Sequence, residues 1–157
     1  MVKKRKAPAR RPATAGRRRA AFEDLTVGDI VNTRVQAARL DMKGDRVAKL
    51  LLKEGSHVPV VDQAKQLAGV VSEHDLLSAL DEGQAWSAQT AKDLMTDNPY
   101  SVPPETSLST LIHVLTESDL MSVPVVTAEN RLVGVVTRRD VVRAALAPRT
   151  KQRAKGR

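Results

Sequence analysis

The chain has 157 residues, no cysteine and a formal net charge of +8, a length that fits one domain or two small ones joined tightly. Without cysteine it can form no disulfide, thiolate metal site or cysteine nucleophile. This composition is typical of a reducing compartment, so a cytoplasmic protein is expected. No apolar run approaches the roughly 18 residues that a membrane-spanning helix needs, so no membrane association is expected.

The positive charge is concentrated at the two ends of the chain. Residues 1–20 contain nine Lys or Arg and residues 148–157 contain five, with no acidic residue in either stretch. Residues 21–147 hold the other 12 basic residues and all 18 acidic ones, a net charge of −6. Residues 1–22 are predicted to be a disordered basic tail and residues 148–157 a second one. Both tails could bind nucleic acid or another polyanion through salt-sensitive contacts.

The first half of the folded part, residues 24–82, is predicted to form a β-α-β-β-α unit. Thr26 can cap a short lead-in helix, and residues 34–38 offer a weak first strand. A helix is expected over residues 44–53, because Val47, Leu50 and Leu51 have helical spacing. One strand starts at Val58, a second covers residues 67–71, and a helix over residues 72–80 closes the unit.

A polar linker, residues 83–90, separates this half from the second and carries the only tryptophan, Trp86, which is expected to pack on the surface. Residues 91–147 repeat the same order of elements after a lead-in capped by Thr90. A turn at residues 98–99 feeds a short strand at residues 100–102. A helix with apolar residues at positions 108, 111, 112 and 115 follows. The last elements are a strand from Val123, a strand over residues 132–136 and a helix over residues 137–146.

Two sequence elements recur at a fixed distance of 65 positions. The first is Val-Pro-Val-Val, at residues 58–61 and again at residues 123–126. The second is Gly-Val-Val, then Ser or Thr, two variable positions and Asp, at residues 69–75 and 134–140. Two matched elements at one offset indicate an internal duplication. A proline cannot donate to a strand ladder, so the first element is expected at the start or edge of a strand.

The hydroxyl residue of the second element stands where a strand ends and a helix begins. Ser72 and Thr137 can cap these helices, with Asp75 and Asp140 completing a capping box. The same geometry allows a second interpretation, because a helix N-terminus with free N–H groups attracts phosphate. The hydroxyl would add a donor, and the carboxylate could bind a ribose diol. Arg138 and Arg139 replace Glu73 and His74 in the second copy, which favours that copy for a polyphosphate.

The duplicated arrangement resembles a tandem pair of CBS domains, over about residues 24–147. The resemblance implies an α/β (α+β) fold in which two β-α-β-β-α repeats pack by their sheets around a pseudo-two-fold axis. It also implies clefts that bind AMP, ADP or ATP, or alternatively S-adenosylmethionine or NAD, and pairs that form homodimers. The hydroxyl residue would contact phosphate and the aspartate the ribose, while three further groups would surround the base: His57, Val58 and Pro59; Ser122, Val123 and Pro124; Tyr100, Ser101 and Val102.

Catalysis is not expected, because the chain has neither a nucleotide-hydrolysis or nucleophile-elbow motif nor a paired carboxylate constellation. His57, His74 and His113 lack metal-ligand spacing, so no metal is predicted. The leading hypothesis is a regulatory module that senses an adenosyl ligand. The rival hypothesis is a dimeric scaffold that needs no ligand and presents its basic tails to nucleic acid.

Overall fold

The computed structural model describes residues 22–147. Residues 1–21 and 148–157 lie outside this range, and so do the predictions of disorder and of polyanion binding that were made for them. From the predicted N-terminal tail only Phe22 is described, and it packs against the core of the second half of the chain.

The first repeat has the predicted β-α-β-β-α order, and its helices and later strands begin and end within one residue of the predicted positions. A 3-10 helix at Val27–Asp29 precedes it. Its elements are β1 (Ala38–Arg39), α1 (Gly44–Glu54), β2 (His57–Val61), β3 (Leu67–Ser72) and α2 (Glu73–Asp81).

The second repeat follows a longer connection that forms a 3-10 helix at Trp86–Ala88. The indole N–H of Trp86 donates to the carbonyl oxygen of Leu76 at 3.0 Å, which holds the connection against α2. The remaining elements are α3 (Ala91–Leu94), β4 (Thr96–Asp97), α4 (Leu108–Glu117), β5 (Ser122–Val126), β6 (Leu132–Thr137) and α5 (Arg138–Leu146).

The strands form one four-stranded sheet, in the order β1-β2-β3-β4, and one two-stranded sheet of β5 and β6. Strands β1 and β2 are parallel, and the other pairs are antiparallel. The two hairpins have the same register, since Val58 lies opposite Val71 and Val123 lies opposite Val136. Strand β4 was not predicted from the sequence.

The sequence predicted a clear short strand at residues 100–102 of the second repeat and a weaker one at residues 34–38 of the first. The structure reverses this order. The first repeat has the regular strand, whereas the second has a single bridge between Val102 and Val125. The Val102 N–H donates to the Pro124 carbonyl at 3.1 Å, and the Val126 N–H donates to the Val102 carbonyl at 3.0 Å. The next N–H that faces β5 would belong to residue 104, and the ladder stops there because Pro104 has no N–H to donate.

Each repeat packs its own hydrophobic core, but the lead-in segments are exchanged between the two cores. Val27 precedes the first repeat and is fully buried in the core of the second. Ala91 and Leu94 precede the second repeat and are buried in the core of the first, with Trp86 and Met95 beside them. Neither core is therefore complete without a segment from the other side of the linker.

The contacts between the repeats are reciprocal. The Leu67 N–H donates to the Asn130 carbonyl at 2.9 Å, and the Leu132 N–H donates to the Lys65 carbonyl at 3.1 Å. Lys65 and Asn130 are 65 positions apart, as are Leu67 and Leu132, so one contact is the image of the other. This pattern confirms the predicted pseudo-two-fold relation.

The sheet faces turned away from the two cores are also buried. Side chains alternate across a strand, and Val58 and Val60 belong to the first core, so Val61 points to the opposite face. Val61 and its counterpart Val126 are only 9% and 8% exposed, although neither belongs to a core cluster. Their burial fits the confirmed prediction that the repeats pack by their sheets.

Candidate functional site: the clefts between the repeats

The Ser/Thr-x-x-Asp pattern forms the same hydrogen bonds at four helix starts of the described residues. In every case one carboxylate oxygen, Oδ2, accepts from both the backbone N–H and the hydroxyl of the capping residue, over 2.7 to 3.1 Å. The four pairs are Thr26 and Asp29, Ser72 and Asp75, Thr90 and Asp93, and Thr137 and Asp140. The capping interpretation is therefore realised at all four helix starts, and the pattern alone does not mark a ligand site.

All four pairs form a capping box, and the two pairs in the duplicated element have the same closing bond. The backbone N–H of Asp75 donates to the Ser72 Oγ at 3.2 Å, and that of Asp140 donates to the Thr137 Oγ1 at 3.2 Å. Each hydroxyl hydrogen is already used in the bond to its aspartate. A phosphate oxygen would compete for that hydrogen, whereas a ligand N–H or O–H could donate to the remaining lone pair of the hydroxyl.

The second carboxylate oxygen of each aspartate faces a different neighbour. Asp140 Oδ1 accepts from the Arg143 guanidinium at 3.0 Å, and the side chain of Asp140 is 15% exposed. Asp75 Oδ1 accepts from the Thr96 hydroxyl of β4 at 3.4 Å. These outer oxygens are the atoms that a ribose hydroxyl could reach, with Arg143 or Thr96 as the competing donor.

The Arg138 side chain is bonded to other parts of the protein and does not extend into solvent. Its guanidinium donates to the carbonyl oxygens of Leu120 at 2.7 Å and Leu115 at 2.9 Å, and to the Asp119 carboxylate at 2.9 Å. Leu115 is in the last turn of α4, whose carbonyls have no partner inside the helix. In this conformation Arg138 caps α4, while the neighbouring Arg139 is exposed.

A small cavity opens at the boundary of the two repeats, beside Thr137. Its volume is about 40 Å³, and its walls include His57 from the start of β2 and Ser122 from the start of β5. The remaining lining residues come from both sides of the boundary: Asn32, Val35, Glu54, Ser56 and Val135. Ligand sites commonly measure about 300 to 1,000 Å³, so this cavity has room for a fragment of a nucleotide in the present conformation.

The structure brings together three of the predicted site residues, His57, Ser122 and Thr137. Ser72 lies directly across the sheet from His57, and Thr137 directly across from Ser122. The Val and Pro residues of the repeated strand element are buried, so their side chains face the protein interior: Val58, Pro59, Val123 and Pro124. Tyr100 is half exposed, Ser101 is half-buried and Val102 is buried in the second core, and none of them lines the cavity.

Five cavity residues were not predicted from the sequence: Asn32, Val35, Glu54, Ser56 and Val135. Asn32 reaches the second repeat through a pair of backbone bonds with Val135, 3.0 and 3.1 Å long. This contact is a consequence of the lead-in exchange, for which the sequence has no local signal. The closeness of Ser56 could have been anticipated, since it precedes the predicted His57.

The electrostatic environment of His57 favours its neutral form. Burial lowers the pKa of His57 below its usual value of 6.5, and the nearby negative charges of Asp75 and Glu73 oppose that effect without cancelling it. The ring Nδ1 lies 3.1 Å from the Ser56 hydroxyl. His57 therefore offers a neutral ring to the boundary, and Glu54 is the charged residue that lines the cavity.

Two absences concern the described part of the chain. Within residues 22–147, His, Asp and Glu form no group of three or more that could hold a metal ion. The same residues include no helix of the length and apolarity required to cross a bilayer. The predictions that the chain binds no metal and is not an enzyme stay predictions.

Comparison with known proteins gives the same architecture. The chain is 32% identical to the chloroplastic CBS domain-containing protein CBSX2 of Arabidopsis thaliana over 77% of its own length and 63% of that protein. It matches the crystal structure of CBSX2 in complex with AMP with a TM-score of 0.70 and 36% identity, over 78% of this chain and 96% of that one. It also matches the CBS domain pair of protein MJ0100 in complex with 5′-methylthioadenosine and S-adenosyl-L-methionine, with a TM-score of 0.67 and 27% identity, over 75% and 93%.

The chain thus spans less than two thirds of the length of its curated relative CBSX2. The family model of the CBS domain matches it twice, at residues 27–82 and 91–147. These matches cover most of the chain, so this protein belongs to the CBS-domain family and contains a tandem pair of CBS domains.

Proposed function

We propose that this CBS pair is a regulatory module that senses an adenosine-containing ligand at the boundary between its repeats. The observation that carries the proposal is the cavity beside Thr137, where the two repeats and a lead-in segment meet. The AMP complex of CBSX2 and the adenosyl complex of MJ0100 support an adenosine-type ligand. A ligand held between the repeats can bias their relative placement through its different affinity for two arrangements.

Binding requires the cavity to widen, because its present 40 Å³ accommodates only part of a nucleotide. Glu54 and Asn32 form part of its wall, and a phosphate group would be repelled by the Glu54 carboxylate unless that side chain moved away. The outer Oδ1 of Asp140 would then exchange its bond with Arg143 for one with a ribose hydroxyl. Widening of the cavity is the conformational change through which the ligand would act.

The direct test is thermal unfolding of the full chain with adenosine, AMP, ADP, ATP, 5′-methylthioadenosine, S-adenosylmethionine and NAD, followed by calorimetry on each ligand that shifts the melting temperature. A ligand at 100 times its Kd adds about 2.7 kcal/mol to the free energy of unfolding. For a domain of this size that is a shift of several degrees. If no ligand shifts the melting temperature, the sensing proposal fails.

A matched pair of variants separates ligand binding from helix capping. Asp140→Asn and Asp93→Asn remove the same capping carboxylate, and each capping loss should cost about 0.5 to 2 kcal/mol. Asp93 caps α3 through its bonds to Thr90, whereas Asp140 bonds to Thr137, a residue of the cavity wall. We expect only Asp140→Asn to weaken the ligand, by about tenfold, as for a lost hydrogen bond to a charged group. If both variants bind the ligand with equal affinity, Asp140 is not part of the ligand site.

Homodimer formation is a further part of this proposal, and exposed apolar side chains on three helices support it. Leu52 of α1, Leu77 of α2 and Leu146 of α5 are 83%, 64% and 79% exposed. Leu77 and Leu80, the second 49% exposed, are three residues apart on α2 and therefore neighbours on its surface, and contiguous apolar patches mark interaction sites. Sedimentation of the wild type and of Leu77→Glu tests this, with a dimer expected for the first and a monomer for the second.

The second candidate function is polyanion binding by the tails, and the segregation of charge favours it. Residues 1–20 and 148–157 contain 14 of the 26 basic residues and no acidic ones. Retention on immobilised DNA or RNA should then weaken steeply with salt and disappear when both tails are deleted. If the full chain is not retained at low salt, this candidate fails.

A further inference from the structure

A second recess lies on the first repeat, between the segment that precedes β1 and the exposed side of α1. Its volume is about 510 Å³, within the usual range of small-molecule sites. It shares no lining residue with the cavity beside Thr137. We call it the α1 groove, and it is lined by Gln36, Ala37, Met42, Arg46, Lys49, Leu50 and Lys53.

Three cations line the α1 groove without an acidic partner. Arg46, Lys49 and Lys53 are exposed and form no salt bridge with any residue of the described range 22–147. Lys53 Nζ donates to the Gln36 side-chain oxygen at 3.3 Å, which turns it toward the groove. The three positions follow one side of the helix and span about 10 Å along its axis.

The floor of the α1 groove is apolar. Ala37, Met42 and Leu50 line it and are all half-buried. Met42 and Leu50 also pack against the first core, so the floor is held in place by the fold. A site with a cationic rim and an apolar floor suits a molecule with an anionic group attached to an apolar body.

The second repeat is an internal control for the fold. Its helix α4 aligns with α1 at an offset of 64, and the buried positions are kept apolar, as in Val47 with Leu111 and Leu51 with Leu115. The three cations correspond to Thr110, His113 and Glu117. The fold therefore requires the buried face of this helix and not the cations of its exposed side.

We propose that the α1 groove binds an organic phosphate ester, at a site separate from the adenosyl-ligand cavity. The cationic rim formed by Arg46, Lys49 and Lys53 takes the phosphate through charge-assisted hydrogen bonds. The apolar floor takes the carbon skeleton. The ester can be a free small molecule or the headgroup of a lipid, since both present the same chemistry.

The test uses the full chain labelled with ¹⁵N and titrated with phenyl phosphate, inorganic phosphate and phenol. We expect amide shifts within residues 36–53, with phenyl phosphate binding more tightly than either of its two halves. Shifts confined to the cavity beside Thr137 or to residues outside 22–147 would overturn the proposal. The mapping needs no variant, so it stands even if a variant fails to fold.

Two matched triple variants then assign the contact. Arg46→Gln, Lys49→Gln and Lys53→Gln together should weaken phenyl phosphate at least about tenfold, given the strength of hydrogen bonds to charged groups. The control removes three other exposed cations through Lys65→Gln, Lys92→Gln and Arg131→Gln, with the same loss of charge. Equal weakening in both variants would mean non-specific attraction and would overturn the proposal.

A vesicle arm distinguishes the source of the phosphate. Phosphatidylcholine vesicles with and without phosphatidic acid are mixed with the wild type and both triple variants. If the protein binds only vesicles that contain phosphatidic acid, and only the groove variant loses this binding, the ligand is a lipid headgroup. Binding of phenyl phosphate without vesicle binding assigns a free ester. Absence of both kinds of binding overturns the proposal.

Discussion

At the scale of single residues, the structure explains why the duplicated element contains a glycine. A Cβ added at Gly134 would overlap the backbone carbonyl of Asn32, the lead-in residue that lines the cavity. At Gly69, the counterpart, the added carbon would meet the Thr96 carbonyl at 2.8 Å. Each glycine therefore allows the lead-in of the other repeat to approach β6 or β3.

Gly134→Ala is expected to destabilise the protein, since backbone must move to admit the methyl group. Overpacking of this kind costs about 1 to 3 kcal/mol, equivalent to a fall of several degrees in melting temperature. Gly28→Ala is the graded comparison, because its added carbon would lie 3.2 Å from the nearest atom, the Pro104 carbonyl oxygen. Equal melting temperatures for the two variants would contradict the close-approach explanation.

His57 gives the protein a predicted pH dependence. Because burial lowers its pKa in the folded state below the usual 6.5, the unfolded chain binds a proton more readily than the folded one. Stability should then fall as the pH drops below about 6.5 and continue falling toward the folded-state pKa. The expected result is a shallower decline for His57→Asn, measured by urea unfolding between neutral and mildly acidic pH.

Exposed histidines are the controls for this pH effect. His74 and His113 are both exposed, so His74→Asn and His113→Asn are the same substitution at surface positions, with which the slope for His57→Asn is compared. A slope that is equally steep in His57→Asn and the wild type would assign the acid sensitivity to other groups.

At the scale of elements, Arg138 at the start of α5 was predicted from the sequence to bind phosphate, whereas in the structure it caps α4. Arg138 bonds to carbonyls of Leu115 and Leu120, 23 and 18 residues away in sequence. Arg138→Gln should therefore lower the free energy of unfolding by about 1.5 to 3 kcal/mol. Arg139→Gln, at an exposed position, should change it by less than about 0.5 kcal/mol.

The same two variants test whether either arginine binds phosphate. If Arg138 serves as a cap alone, the ratio of AMP to adenosine affinity should stay the same in Arg138→Gln. A selective loss of AMP affinity in that variant would restore the phosphate-binding interpretation of the sequence. Calorimetry with both ligands on folded protein gives this ratio directly.

The sequence predicted helices and hairpins well because their burial patterns are local. The spacing of Val47 and Leu51, and of Leu111 and Leu115, defines the buried helix faces, and all four are buried as expected. The role of Arg138 and the cavity contact of Asn32 depend on residues brought near by the tertiary fold. No local pattern encodes such contacts, so the site was predicted in part only.

At the scale of the whole molecule, the exchange of lead-in segments couples the two repeats. The matches to the CBS family model, which begin at residues 27 and 91, assign each lead-in segment to the repeat that follows it in sequence. The cores follow a different division, since Val27 is in the second core and Ala91 and Leu94 are in the first. A displacement of one repeat relative to the other must therefore move a piece of the other core, and this is the route by which the proposed ligand would act on both repeats.

A double-mutant cycle tests this division with matched residues. Val27→Ala is combined with Val123→Ala, in the second core, or with its counterpart Val58→Ala, in the first. All three valines are fully buried. Residues that share a core should show a coupling energy of about 0.5 kcal/mol or more, whereas distant ones add within about 0.3 to 0.5 kcal/mol. Denaturant unfolding gives each free energy, and coupling of Val27 with Val58 in place of Val123 would show that the lead-in packs on its own repeat.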